Sequence, residues 1–156
     1  MLSVFIAQVS SAQSTDMKFK VQGSLKNEET QKVIPGSFVK IVTDGDKGRF
    51  VQLDVNGQYS EELAFDHHYE LHFVAEGYVT KFVRIDARGI PATEQKGKVI
   101  ETDLLLNEPK PGVSYELYQK PVGLAGYNAA TRKFDFDPVY SKRINLEYDR
   151  ILKATK

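Results

Sequence analysis

From Met17 to Leu106 apolar side chains tend to recur at every second position, and Gly, Asn, Asp and Pro interrupt the pattern at short intervals. An alternation of period two sets one face of an extended segment against a core and the other in water. Helical templates, which need apolar residues three and four apart, fit nowhere in that span. In MKFKVQGSLK, Phe19, Val21 and Leu25 share one parity while Lys18, Lys20, Gln22 and Lys26 take the other. HYELHFVA alternates most cleanly, with Tyr69, Leu71, Phe73 and Ala75 on one side and His68, Glu70 and His72 on the other. SFVKIVT, RFVQLDV, QYSEELAF, YVTKFVRIDA and VIETDLLLN complete a set of about seven strands. Two sheets facing each other bury all these one-sided faces. The expected fold is therefore all-β, a seven-stranded antiparallel β-sandwich over residues 17–107.

After Asn107 the grammar changes. EPKPGVSYELYQKPVG reads as a Pro-rich extended linker, and LAGYNAATRKFDFD as a short hairpin or extended arm. Residues 138–154 read as a helix, with Asp137 as N-cap, Pro138 at the first helical position, and Tyr140, Ile144, Tyr148, Ile151 and Leu152 in one stripe. Tyr115, Tyr118, Tyr127, Phe134, Phe136, Tyr140 and Tyr148 crowd this tail, 108–156. The tail is too short and too polar to build a core of its own. These aromatics, with Ile144, Ile151 and Leu152, are the candidate interaction residues. They pack either on the sandwich or on another protein, where aromatic anchors dominate binding.

Two acidic knots interrupt the strands, Asp44-Gly45-Asp46-Lys47-Gly48 and Asp54-Val55-Asn56-Gly57. A calcium loop starting at Asp44 needs an oxygen ligand at Gly48, a glycine at Arg49 and a Glu at Val55, and lacks all three. Asp and Gly there turn the chain. Asn56-Gly57 is the favoured pair for a two-residue type I′ hairpin turn, with Asp54 as its cap. The three histidines lie together in DHHYELH, but His68 and His72 stand about 13 Å apart on a strand, too far to share a zinc ion. No G-x-S-x-G elbow, phosphate-cradling glycine loop or cysteine is present, so no catalytic residue, cofactor or metal is assigned.

Lys plus Arg and Asp plus Glu number 21 each, leaving no net field to gather a polyanion, and nucleic acid is not an expected partner. No stretch approaches the roughly 18 apolar residues of a membrane span. LSVFIA followed by QVSSAQS reads as an apolar segment running into a small-residue cleavage site, so residues 1–12 are expected to be a signal-peptide remnant cut after Ala12.

Val21 and Gly23, Pro35 and Gly36, the hairpin of Asp54, Gly57 and Tyr59, and Tyr69, Leu71, Gly77 and Tyr78 together resemble the carboxypeptidase regulatory-like domain, a transthyretin-like sandwich. The likeness covers about residues 18–106. It implies a non-catalytic domain of exported proteins, such as those of the Bacteroidota envelope. Its expected role is binding other envelope proteins as an accessory subunit of an outer-membrane complex, in the periplasm or at the outer membrane. A sandwich-type carbohydrate-binding module is the alternative, although the chain has no Trp for a sugar platform. Glu61 departs from the pattern, sitting on the inward parity of Tyr59 and Leu63, which requires a bulge or an edge strand.

Overall fold

The structure is a computed structural model describing residues 17–154. The signal-peptide reading of residues 1–12 lies outside the described residues. The chain forms β1 (Lys18–Asn27), β2 (Phe38–Thr43), β3 (Arg49–Gln52), β4 (Gln58–Ala64), β5 (His68–Val74), β6 (Lys81–Asp86), β7 (Val99–Glu101), β8 (Leu104–Leu106), β9 (Gly123–Asn128), β10 (Lys133–Phe136) and one helix, α1 (Pro138–Ala154). Short 3-10 turns occupy Ala92–Glu94 and Glu116–Gln119.

One sheet runs β4-β1-β7, with β8 also paired to β1, and the other runs β10-β9-β6-β5-β2-β3. Their inner faces meet in a single core. Phe19, Val21, Leu25, Leu63, Ile100 and Leu106 come from the first sheet, and Val39, Ile41, Leu71, Phe73, Val83 and Ile85 from the second, none more than 4% exposed. The alternation read from the sequence is the alternation that fills this space.

The strand count and direction depart from the expected seven antiparallel strands. Ten strands form among the described residues, and β7 and β8 run parallel to β1, as β9 does to β6. Periodicity reports which face of a strand is buried and carries no information on its neighbour's direction. VIETDLLLN, read as one strand, divides at Thr102-Asp103. There the Thr102 carbonyl presses on Gly23 so closely that a Cβ at Gly23 would sit 1.8 Å from its oxygen. The Asp103 carboxylate then accepts from the Ser24 N–H and Oγ, both at 2.9 Å, in place of a strand partner.

The turn at Asn56-Gly57 also differs. β3 pairs with β2 and β4 pairs with β1, so this turn passes the chain from one sheet to the other and joins no hairpin. A type I′ turn needs positive φ at both central residues. Gly57 adopts +72°, whereas Asn56 is not among the residues of positive φ. Gly57 donates to the Asp54 carbonyl at 3.0 Å and accepts from the Leu25 N–H at 2.9 Å, fastening the crossing to β1. A side chain there would meet the Leu25 carbonyl at 2.9 Å.

Glu61 sits on an edge strand. The β1–β4 register runs without a bulge through Val21 opposite Glu61, and β4 has no strand on its other side. Its carboxylate reaches over to Arg49 at 3.0 Å.

Candidate functional site

All ten tail residues singled out in the sequence are buried or half-buried against this chain. They divide between two places. Phe134 of β10 enters the main core, where its ring meets Phe19 edge-on at 5.1 Å and Phe65 at 6.2 Å. Phe136 and Tyr127 pack half-buried on the same core. The loop 88–98 supports this hairpin: Tyr127 donates its hydroxyl to the Glu94 carboxylate, and Arg132 lies 3.4 Å from the other Glu94 oxygen. The bond to Glu94 raises the Tyr127 phenol above its ordinary pKa, because the neutral phenol is the form that donates.

The other seven form a second cluster around Leu117 and Tyr118 of the 3-10 turn. Ile144 and Tyr148 are buried there, and Tyr115, Tyr140, Ile151 and Leu152 pack round them. Asp137 caps α1 by accepting from the Val139 and Tyr140 N–H groups, which aims the predicted stripe at the sheet. The Tyr140 hydroxyl donates to the Pro121 carbonyl at 2.7 Å.

Lys81 joins this cluster to the sandwich. Although charged in type it is 6% exposed, donates to the Leu105 carbonyl at 2.8 Å, and lies 4.9 Å over the Tyr118 ring and 5.9 Å over Tyr148. The carbonyl and ring faces compensate its ammonium in part, and burial still lowers its pKa. Burial pushes Tyr148 up to about 12 and Tyr118 up as well.

The acidic knots are occupied in turning the chain. Asp46 Oδ1 accepts from the Thr43 and Gly48 N–H groups, and Asp54 Oδ1 from those of Asn56 and Gln58. Asp44, at φ +49°, accepts from the His68 N–H and sits 2.5 Å from His67 Nδ1. The His67 contact is the main reason its carboxyl lies below the usual range. His72 stacks on Phe82 at 4.8 Å with Nε2 3.3 Å from Glu70. Among the described residues no three His, Cys, Asp or Glu side chains converge as metal ligands, and no helix is long and apolar enough to cross a membrane.

What stays unused is an edge. β3 closes one end of the six-stranded sheet and β4 one end of the other, and between them lies a cleft of about 590 Å³. Gln52, Gln58, Ser60 and Glu61 line it, and the Arg49–Glu61 ion pair spans the two edges. Beside it Phe50, 67% exposed, packs edge-on against Phe38 at 5.3 Å. Phe50 stands opposite Lys40 on the outer face of its sheet, while Val51 opposite Val39 faces in. The signal was in RFVQLDV, where Phe50 has the polar parity of Gln52 and an aromatic therefore points to water.

No protein-family model matches the chain, and no curated protein matches it. Among solved structures, catechol 1,2-dioxygenase of Acinetobacter radioresistens is similar at 12% identity and TM-score 0.48, over 68% of this chain and 57% of the dioxygenase. The Bacillus anthracis TIE protein is similar at 14% identity and TM-score 0.43, over 59% of this chain and 17% of the other. A Bacteroides fragilis protein of unknown function, named as membrane-associated, is similar at 15% identity and TM-score 0.40, over 62% of this chain and 30% of the other. The chain spans less than two thirds of each, and likenesses this distant assign no activity.

Proposed function

We propose that this chain is a non-catalytic, exported envelope protein of the carboxypeptidase regulatory-like, transthyretin-like kind. In this reading it binds protein as an accessory subunit of an outer-membrane complex. The resemblance of residues 18–106 supports the family and the location. The observation that carries the binding role is the β3 edge with Phe50 exposed beside it. An open edge offers unpaired N–H and C=O groups to an extended segment of a partner, and an aromatic beside it supplies the side-chain contact that gives such pairing specificity. The tail aromatics, spent on this chain's own packing, hold β9, β10 and α1 in place.

A photo-crosslinking residue at position 50, with a second at Lys133 on the outer edge of β10, tests this in the native envelope. Crosslinks to one protein from position 50, absent from position 133 and lost in Arg49→Pro, support pairing at β3. Equal yields from both positions exclude it. The carbohydrate-binding alternative draws on a different observation, the amide- and carboxylate-lined cleft next to the Phe38–Phe50 pair. Glycan-array binding that disappears in Phe50→Ala, without protein crosslinks, favours that reading.

A further inference from the structure

The chain is neutral overall, yet its charge is unevenly placed on α1. At about 100° per residue, Val139, Lys142, Arg143, Leu146, Arg150 and Lys153 fall within an arc of roughly 100°. That arc is opposite the buried stripe of Ile144 and Tyr148. All six are exposed, Val139 at 76% and Leu146 at 48%. Glu147 and Asp149 flank the arc, one on either side. Among the described residues none of the four cations forms an ion pair, and the Arg143 guanidinium lies over the Tyr140 ring at 5.3 Å.

We infer that this outward face of α1 docks on an anionic phospholipid surface. Four unpaired cations on one ridge complement a plane of phosphate groups, and each Lys or Arg near such a surface adds to attraction. Val139 and Leu146, two turns apart on the same ridge, are short apolar groups that enter the headgroup layer shallowly while the helix lies in the plane. The ridge carries no aromatic anchor, the side chain that a protein partner's pocket would select. The inference stands apart from the β3 reading, since it uses the opposite end of the six-stranded sheet, where β10 leads into α1.

Flotation of the full chain with vesicles of phosphatidylcholine alone, or with a third phosphatidylglycerol, tests this. Binding is expected only to the anionic vesicles and is expected to fall steeply as salt is raised. Lys142→Gln with Arg143→Gln and Arg150→Gln should weaken it about a hundredfold, at roughly fivefold per cation. Val139→Asp with Leu146→Asp should also release the protein. Both sets change exposed side chains, and unchanged melting confirms that the fold is kept. Absence of binding to anionic vesicles at low salt overturns the inference, as does equal binding to both vesicle types. If the Asp variants bind as well as the parent while polyglutamate displaces both, the ridge reads acidic protein and the lipid assignment fails.

Discussion

The main core and the tail cluster are both hydrophobic, but they are built from different side chains. The main core takes residues from both sheets, including Ala125 and Phe134 of the tail hairpin, and at its centre Phe19, Phe73 and Leu71 are 0% exposed. The tail cluster has four buried members, each 3–8% exposed, and two of these are tyrosines. Tyrosine buries a ring while keeping a polar tip at the boundary, which suits a cluster with water on one side. The first region therefore sets the global stability, and the second opens at lower cost. The tail thus consists of two unlike parts, a hairpin that completes the sandwich and a helix that rests on it.

The largest effect that separates these parts is expected on ending the chain at Asn107. Removing β9 exposes the edge of β6, and removing Phe134 leaves a void beside Phe19 and Phe65. The shortened chain should lose its cooperative melting transition. Retention of the parent melting temperature would make the hairpin an accessory and erase the distinction. Phe134→Ala tests the same contact within the full chain. It should cost about 3–5 kcal/mol by denaturant unfolding, the usual range for emptying an aromatic site in a core. Ile144→Ala should cost about 2 kcal/mol, the low end for such truncations because the cluster's rim can relax. Its hydrogen exchange should rise in α1 and residues 115–119 and stay unchanged in β1 and β5. A uniform rise would mean that the two regions unfold as one.

Much of this division was legible in the residues. The parity of β1 and β5 named the core side chains, and Asp137-Pro138 with the Tyr140 to Leu152 stripe fixed the helix. Direction was not legible, because a strand's alternation is the same whichever way its neighbour runs. The split of VIETDLLLN depends on Gly23 lying under the Thr102 carbonyl, a contact between residues 79 apart that leaves no local trace. Asn56-Gly57 announced a turn correctly, but a turn motif does not say whether the next strand returns to the same sheet. The exposed aromatic at position 50 is readable from parity, but it stands alone, whereas the dense aromatics of the tail give the stronger sequence signal for interaction residues.

Alkali should sharpen the comparison further. Tyr148, raised to about 12, keeps its proton in the folded protein at a pH where the unfolded chain, with an ordinary value of 10.0, has lost it. The native state then binds more protons, so stability falls as pH rises from 10 towards 12. Lys81 works the other way. Its pKa is below the ordinary 10.5, so its burial penalty lifts as it loses its proton, and that contribution to stability grows as pH rises towards 10.5. Tyr148→Phe should therefore lessen the alkaline loss while leaving neutral stability close to the parent, measured as melting temperature across that range. An unchanged alkaline limb would place the titration elsewhere.

The smallest effect is expected at the first acidic knot, far from both clusters. Asp44 has a folded pKa below its ordinary 3.8, held there chiefly by His67 and then by the His68 N–H. A lowered carboxyl contributes stability that is fully present above the unfolded value and is lost as pH falls through the folded one. Asp44→Asn should thus flatten the acid limb below pH 3.8 slightly. The His67 contact lies at the surface, with both side chains about half exposed, so the change at neutral pH should be close to nothing. A large neutral loss would show that the Asp44 charge holds the β2–β3 turn, since asparagine keeps an acceptor oxygen and tolerates the same left-handed φ. Asp44→Gly, which relieves the φ and removes the carboxylate together, then tells the two contributions apart.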